Sequence, residues 1–522
     1  MQAKRAARRS RAESSIWELF DQRAAASADR PMLLDEHDRR VSFAEARARA
    51  ERLAAGLLAL GIGPGTAVTW QLPTRIETVL LSLALARLGA VQNPILPLYR
   101  ERELGAVLRQ TAARWLVVPG TFRGFDHAAL ARTLRDAAGG RFEVLVADGG
   151  LPEGEPGGLP PPPADGSAVR WIYATSGTTA EPKCARHTDA TLIAGGSGLA
   201  LALDAREDDV GSIAFPYTHI GGPDYLVMQL QRGFPVVLLE SFVPEPALAV
   251  FRRHGVTLSG GSTAFYQAFL NEQRKQPGAP VLPTLRALAG GGAPKPPELF
   301  WQVRRELGVP ILHGYGMTEC PMIASGTPTD TDEQLANTDG RPVADCEVRV
   351  VDGEIRVRGP MLCRGYTDPA LTAEAFDADG FFATGDLGHV RPDGHVVLTG
   401  RKKELIIRKG ENISPREIED LLQTHPSVAA VAVIGLPDAE RGERVCAVVE
   451  TRPGAKPLDL AAMQAHCRAA GLMVQKIPER LEVVEALPRN ATLKILKHVL
   501  RERLAGREAA SERAPGRTIR NR

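Results

Sequence analysis

The chain has 522 residues, 44% of them apolar and 24% charged, the balance of a globular protein long enough for two or three domains. A formal net charge of +2 supplies no field to attract nucleic acid, so nucleic acid is excluded as an expected partner. The six cysteines (Cys184, Cys320, Cys346, Cys363, Cys446 and Cys467) form no C-x-x-C pair; this excludes a zinc ribbon or disulfide framework and points to reduced thiols in a cytoplasmic enzyme.

The stretch Met1 to Glu13 is rich in Arg and Ala, and no apolar run follows it. It therefore reads as a frayed arm, not a secretory signal, with the arm taken to residue 16. Phe43 to Gly61 sets Ala and Leu at helical spacing. Ala67 to Leu72 reads as a short strand, Glu77 to Leu88 as a second apolar helix, and Leu116 to Val118 as another strand. This alternation predicts parallel sheet layers with covering helices. The longest apolar run, Val79 to Val91, carries Arg87 and is too short to span a bilayer. A buried helix is expected there, and no transmembrane segment. Pro152 to Asp165, dense in Pro and Gly, reads as a surface loop or linker.

After Ile311 short strands alternate with turns. Val348 to Val351, Glu354 to Val357 and Val396 to Leu398 are the strands, and Asp352-Gly353 and Asp393-Gly394 the turn dipeptides. A third region follows Gly400, with a helix over Pro415 to Leu422 and strands over Ala429 to Gly435 and Arg444 to Glu450. The basic tail Arg501 to Arg522 is expected to be solvated or disordered.

Five segments carry chemistry. The run Thr175-Ser176-Gly177-Thr178-Thr179-Ala180-Glu181-Pro182-Lys183 gathers hydroxyls, a glycine and a lysine after an apolar stretch. Backbone N–H groups and hydroxyls in such a loop can wrap phosphate oxygens, and Lys183 adds positive charge. It lacks the Gly-Lys-Ser/Thr ending of a Walker loop. In His313-Gly314-Tyr315-Gly316-Met317-Thr318-Glu319, Tyr315 offers a flat face for a purine and Glu319 a carboxylate for magnesium. Asp386, in Thr384-Gly385-Asp386, can accept from two ribose hydroxyls. Gly400-Arg401-Lys402-Lys403-Glu404 is a charged knot between apolar strands, and Gly410-Glu411-Asn412-Ile413-Ser414-Pro415 enters a helix with Ser414 as its N-cap. The last is Leu487-Pro488-Arg489-Asn490-Ala491-Thr492-Leu493-Lys494. Each alone would serve as an ordinary polar turn or a solvated charge.

Together, in this order, the segments resemble the adenylate-forming superfamily of acyl-CoA synthetases, peptide-synthetase adenylation domains and beetle luciferases, from about Trp17 to Arg501. The resemblance implies an α/β fold. Residues 17–400 would form a large N-terminal domain of layered β-α-β-α sheets with a small β-barrel. Residues 401–505 would form a small mobile α+β domain, and 506–522 a basic tail. It implies that Thr175, Ser176, Gly177, Thr178, Thr179 and Lys183 hold the β- and γ-phosphates of ATP. Gly291, Gly292, Ala293, Tyr315 and Gly316 would bracket adenine. Thr318 would contact the α-phosphate, Glu319 would bind Mg2+, and Asp386 and Arg401 would grip the ribose. Lys494 would act between the carboxylate and the α-phosphate. His219, in Phe215-Pro216-Tyr217-Thr218-His219, would lie beside the acyl and pantetheine channels. Lys403 would be the hinge, and its rotation would bring Gly410 to the thiol channel for coenzyme A.

Three positions depart from the family pattern: Ala180, Cys184 and Leu493 stand where glycine is usual. The residues after Lys494 are too few for a phosphopantetheine-bearing module, so a CoA ligase is expected in preference to a peptide-synthetase fragment. Gln92 to Glu103 and Gly410 to Ser414 look like ligases of short- to medium-chain fatty acids or cyclohexanecarboxylate. The alternatives are a freestanding enzyme loading an acyl carrier protein and a nucleotide-binding homologue with impaired catalysis. The small carboxylic acid would lie near Tyr217, Ser262, Thr263 and Gly314. A homodimer is admitted, with nothing in the sequence to fix it.

Overall fold

A computed structural model describes residues 14–175, 181–438, 440–490 and 493–512, with side-chain surroundings up to residue 505. The expected arm before residue 14 lies outside the described residues. The first helix, Ile16–Ala26, starts at a capped end: the Ser15 side chain accepts from Glu18 N–H, and Ile16 is fully buried.

Two sheets form the large domain. In the first, Ala67–Trp70, Val91–Pro94, Trp115–Val118, Glu143–Val146 and Val169–Thr175 run parallel, and Lys183–Thr188 returns antiparallel along one edge. The second has nine strands. Its parallel middle includes Leu258–Gly261, Ala287–Gly291 and Ile311–Met317, and its edges are antiparallel. Helices Ile76–Leu88 and Asp189–Ala202 touch strands of both sheets. Every residue of Ile76–Leu88 except Glu77 is buried, as a helix apolar on all sides requires.

Strands Glu347–Val351, Glu354–Arg358, Phe382–Val390 and Val396–Arg401 form an antiparallel meander. Its outer strands do not pair, so the expected small β-barrel is corrected to an open four-stranded sheet. Four strands are too few to close. The inner face is covered instead by the large sheet: Ile323 and Ala324 pack with Ile355, Val357, Phe382 and Val396.

From Ile406 onward the chain has a core of its own. Strands Val428–Asp438 and Gly442–Thr451 pair antiparallel, and Arg480–Val484 joins them in parallel. Their side chains alternate between two faces. Val431, Val433, Val445, Ala447 and Val449 meet helices Pro415–Leu422 and Leu460–Ala469. Ala432, Ile434, Cys446 and Val448 meet Leu500 and Leu504 of the helix Lys497–Glu512. Of the expected solvated tail Arg501 to Arg522, the part to Glu512 is corrected to helix, because Leu500 and Leu504, one helical turn apart, bury against this sheet; residues 513–522 lie outside the described residues. All six cysteines are free and buried. Among the described residues no helix is long and apolar enough to cross a membrane.

Candidate active site

Thr175 ends one strand, Lys183 begins the next, and the two are register partners. The phosphate-loop candidates Ser176, Gly177, Thr178 and Thr179, with Ala180, lie between them and outside the described residues. Lys183 Nζ sits 5.2 Å from the ring centroid of Tyr366, whose hydroxyl donates to Glu319 Oε1 at 2.6 Å. Burial, and then the Glu319 charge, push the Tyr366 phenol well above its ordinary value, so it remains a donor.

At the ends of the parallel strands, Gly291 faces Gly314. A Cβ on Gly291 would stand 2.0 Å from the Gly314 carbonyl oxygen, so only glycine lets the two backbones meet here. Gly292, at φ +81°, then turns the chain toward Ala293. Tyr315 is buried, and its hydroxyl donates to Asp386 Oδ2 at 2.8 Å. Asp386 is the register partner of Arg401, whose Nε donates to Oδ1 at 2.7 Å. Both carboxylate oxygens of Asp386 are thus held, and its N–H donates to Thr384 Oγ1 at 3.0 Å. Beyond Gly316, the Thr318 carbonyl accepts from His187 Nε2 at 2.8 Å. Burial lowers the His187 imidazole to about 4, which keeps it neutral.

His219 Nδ1 accepts from the Gly221 N–H at 3.2 Å, which assigns its proton to Nε2. Burial, and then the charge of Lys494, lower it to about 4. With Thr318 it lines a narrow cleft walled by Pro94, Ile95, Leu96, Tyr173, Ala174 and Ile220. Tyr217 does not join it. Its hydroxyl bonds Ser82 Oγ at 3.0 Å and its ring stacks on Trp70, within the core of the large domain.

The C-terminal domain brings Lys494 to this cluster. The loop is closed by two bonds, Lys494 N–H to Asn490 Oδ1 and Asn490 N–H to the Lys494 carbonyl, each 2.9 Å. Leu493 is left-handed at φ +61° and packs against the core of the large domain. Burial, and then Arg401, lower Lys494 to about 8, against the pull of Glu404 and Asp386. Lys497 bridges Glu404 Oε2 at 3.1 Å and Glu419 Oε1 at 2.8 Å, and Glu419 Oε1 also accepts from the Val433 N–H at 2.6 Å.

Lys403 is exposed in the short 3₁₀ turn Lys402–Glu404, directly after Arg401. Gly410 is not brought to the cluster: its hairpin turn is tied by Lys409 to the Arg441 carbonyl and to Glu440. Ser414 stands at the expected N-cap, but its hydroxyl donates to the Thr399 carbonyl at 2.5 Å instead of capping, a correction to its expected role. Tyr366, His187, Glu404 and Lys497 were not foreseen from the sequence.

Glu319 is buried and has the Tyr366 hydroxyl on one oxygen. Among the described residues no group of three or more His, Cys, Asp or Glu could hold a metal by itself. The single buried Glu319 carboxylate is of the kind that Mg2+ takes, one or two carboxylates with phosphate and water completing its shell.

Residues 20–367 match the AMP-binding enzyme family and residues 417–494 match the AMP-binding enzyme C-terminal domain. The chain belongs to the AMP-binding enzyme family. This is the adenylate-forming superfamily of acyl-CoA synthetases expected from the order of the motifs. The AMP-binding enzyme described here is similar to the medium-chain fatty-acid–CoA ligase of Escherichia coli (strain K12), 31% identical with 94% of this chain and 90% of that protein covered. It is also similar to the salicyl-AMP ligase / salicyl-S-ArCP synthetase of Mycobacterium tuberculosis, 32% identical over 90% of this chain and 87% of that protein. Among solved structures, the o-succinylbenzoate CoA synthetase of Bacillus subtilis with its acyl-adenylate intermediate superposes at TM-score 0.81, with 28% identity and 94% and 98% of the two chains covered. The same synthetase with ATP and a magnesium ion superposes at TM-score 0.80, with 28% identity and 93% and 99% of the two chains covered.

Proposed function

We propose that this AMP-binding enzyme is an acyl-CoA ligase with a two-step reaction. A carboxylate attacks the α-phosphate of ATP, releasing pyrophosphate and leaving an acyl-adenylate. The thiol of coenzyme A then displaces AMP to form the thioester. The observation that carries this reading is Lys494, delivered by the C-terminal domain to the Asp386–Arg401 pair.

Bringing a carboxylate to a triphosphate joins two anions. Lys494 and Lys183 supply fixed positive charge against that repulsion. Mg2+ held by Glu319 would neutralise phosphate charge. Thr175 and the loop after it, with Thr318, would hold phosphates. Gly291, Gly292, Ala293, Tyr315 and Gly316 would frame the adenine, and Asp386 and Arg401 the ribose. His219, neutral at physiological pH and within electrostatic reach of Lys494, would lie beside the acyl and pantetheine channels.

Residues 17–400 and 401–505 act as two bodies that rotate about Lys403. Rotation withdraws Lys494 after adenylation and carries Gly410 toward the thiol channel. The acid is a short- to medium-chain fatty acid or an alicyclic acid. Pro94, Ile95, Leu96, Ala174 and Ile220 give the narrow cleft beside His219 an apolar side, which favours an uncharged acyl group.

The test is pyrophosphate release over a panel of linear, cyclic and aromatic acids, with and without CoA and Mg2+. Acid-dependent pyrophosphate and AMP, with thioester formed on CoA, is the expected result. Pyrophosphate release with acyl transfer only to a carrier protein would select the carrier-loading reading. No exchange with any acid would reject catalysis.

A further inference from the structure

Tyr366 lies outside the five segments, yet it touches two of them. The run Cys363 to Thr367 is bonded on both sides. Arg364 N–H donates to the Arg186 carbonyl at 2.7 Å, Arg186 N–H to the Gly365 carbonyl at 2.8 Å, and Thr367 N–H to the Cys184 carbonyl at 2.9 Å. Tyr366 thereby pairs with Ala185 as an added strand beside Lys183–Thr188. Cys363 N–H donates to the Glu319 carbonyl at 2.8 Å. A third tie fixes the turn: Tyr366 N–H donates to Thr372 Oγ1 at 2.9 Å. The backbone is therefore anchored to the strand that opens with Lys183 and to Glu319 itself.

The side chain repeats this bridge. Its hydroxyl is 2.6 Å from Glu319 Oε1, and its ring face is 5.2 Å from Lys183 Nζ. Tyr366 is 3% exposed and Glu319 is buried, so the hydroxyl–carboxylate bond is shielded from water, where it is strongest, while Lys183 over the ring face is partly exposed.

We propose that Tyr366 is a positioning residue that sets Glu319 and Lys183 relative to each other, so that the magnesium carboxylate and the phosphate-loop ammonium meet one triphosphate in register. The proposal rests on the ATP and Mg2+ reading given above. Its two contacts can be removed separately. Tyr366→Phe keeps the ring face and deletes the bond to Glu319. Tyr366→Leu deletes both.

Equilibrium titration of the full chain with ATP, once in Mg2+ and once in EDTA, measures binding without turnover. Tyr366→Phe is expected to weaken ATP binding in Mg2+ by about tenfold and to leave binding in EDTA unchanged, the loss of one hydrogen bond to a charged group. Tyr366→Leu should weaken both, with the EDTA loss reporting Lys183. Glu319→Gln should reproduce the Mg2+-specific defect, and Tyr366→Phe added to it should cost little more. This double variant decides the matter if Tyr366→Leu fails to fold. Wild-type binding by Tyr366→Phe in Mg2+, equal losses in Mg2+ and EDTA, or full additivity with Glu319→Gln would overturn the proposal. If the unaltered protein binds ATP no better in Mg2+ than in EDTA, the underlying reading fails, whatever Tyr366 does.

Discussion

The nucleotide-facing edge of the large domain and the loop that carries Lys494 are held in opposite ways. At the edge, backbone pairing aligns the site residues: Asp386 opposite Arg401, Thr175 opposite Lys183, Gly291 opposite Gly314. The Lys494 loop is held by bonds within itself, such as Lys494 N–H to Asn490 Oδ1 and Leu493 N–H to the Asn490 carbonyl, by a leucine in a left-handed conformation, and by the nearby Lys497 clamp on Glu404 and Glu419. On the proposed two-step reaction, one region serves as a template and the other as a lever. Chemistry in two steps needs both, since a site that is fixed throughout cannot exchange one reacting group for another.

The sharpest way to break that contrast is Lys494→Ala. Loss of one well-placed donor costs about 3 kcal/mol in the barrier, so adenylation should fall by roughly 10²- to 10³-fold. Transfer of a supplied acyl-adenylate to CoA should persist. Separate assays of the two half-reactions check this, and equal losses in both would place Lys494 in the template.

A smaller effect should appear in the pH profile. Burial lowers Lys494 to about 8, and its proposed role needs the cation, so adenylation kcat/KM should decline as pH rises through about 8. Lys497 is one of the charges that lower Lys494. Lys497→Met should therefore move the declining limb upward, and should slow adenylation by about tenfold as the clamp is lost. A limb that stays in place would assign the titration to another group.

Leu493→Gly should be mildest. It relieves left-handed strain of about 1–2 kcal/mol and removes the packing of Leu493 on the large domain. The ratio of adenylation to transfer rates should shift a few-fold toward transfer. An unchanged ratio would mean that this packing does not bias the two arrangements.

Much of the template was legible because its signals are local. Asp352-Gly353 forms its hairpin turn with both residues at positive φ, +50° and +77°. The helix Pro415–Leu422 falls at its expected bounds. The substitution of Leu493 for glycine was visible, and its left-handed φ shows why glycine is suited there. The remainder depends on distant pairing. Lys497 and Glu404 are 93 residues apart, and charged side chains are normally solvated, so nothing in the sequence joins them. Tyr366 sits in an unremarkable turn and gains meaning only when Glu319, 47 residues away, arrives at its hydroxyl. The helix through Glu512 did have a signal, Leu500 and Leu504 four apart, but the surrounding basic residues suggested a solvated tail.

The Ser414 hydroxyl reaches the Thr399 carbonyl just where Gly400 leaves room for it: a Cβ at position 400 would lie 2.7 Å from Ser414 Oγ. A methyl group there would turn the Ser414 hydroxyl away from Thr399 and remove this tie across the start of the small domain. The missing side chain at position 400 is thus a clearance that lets one hydroxyl stitch the two domains together.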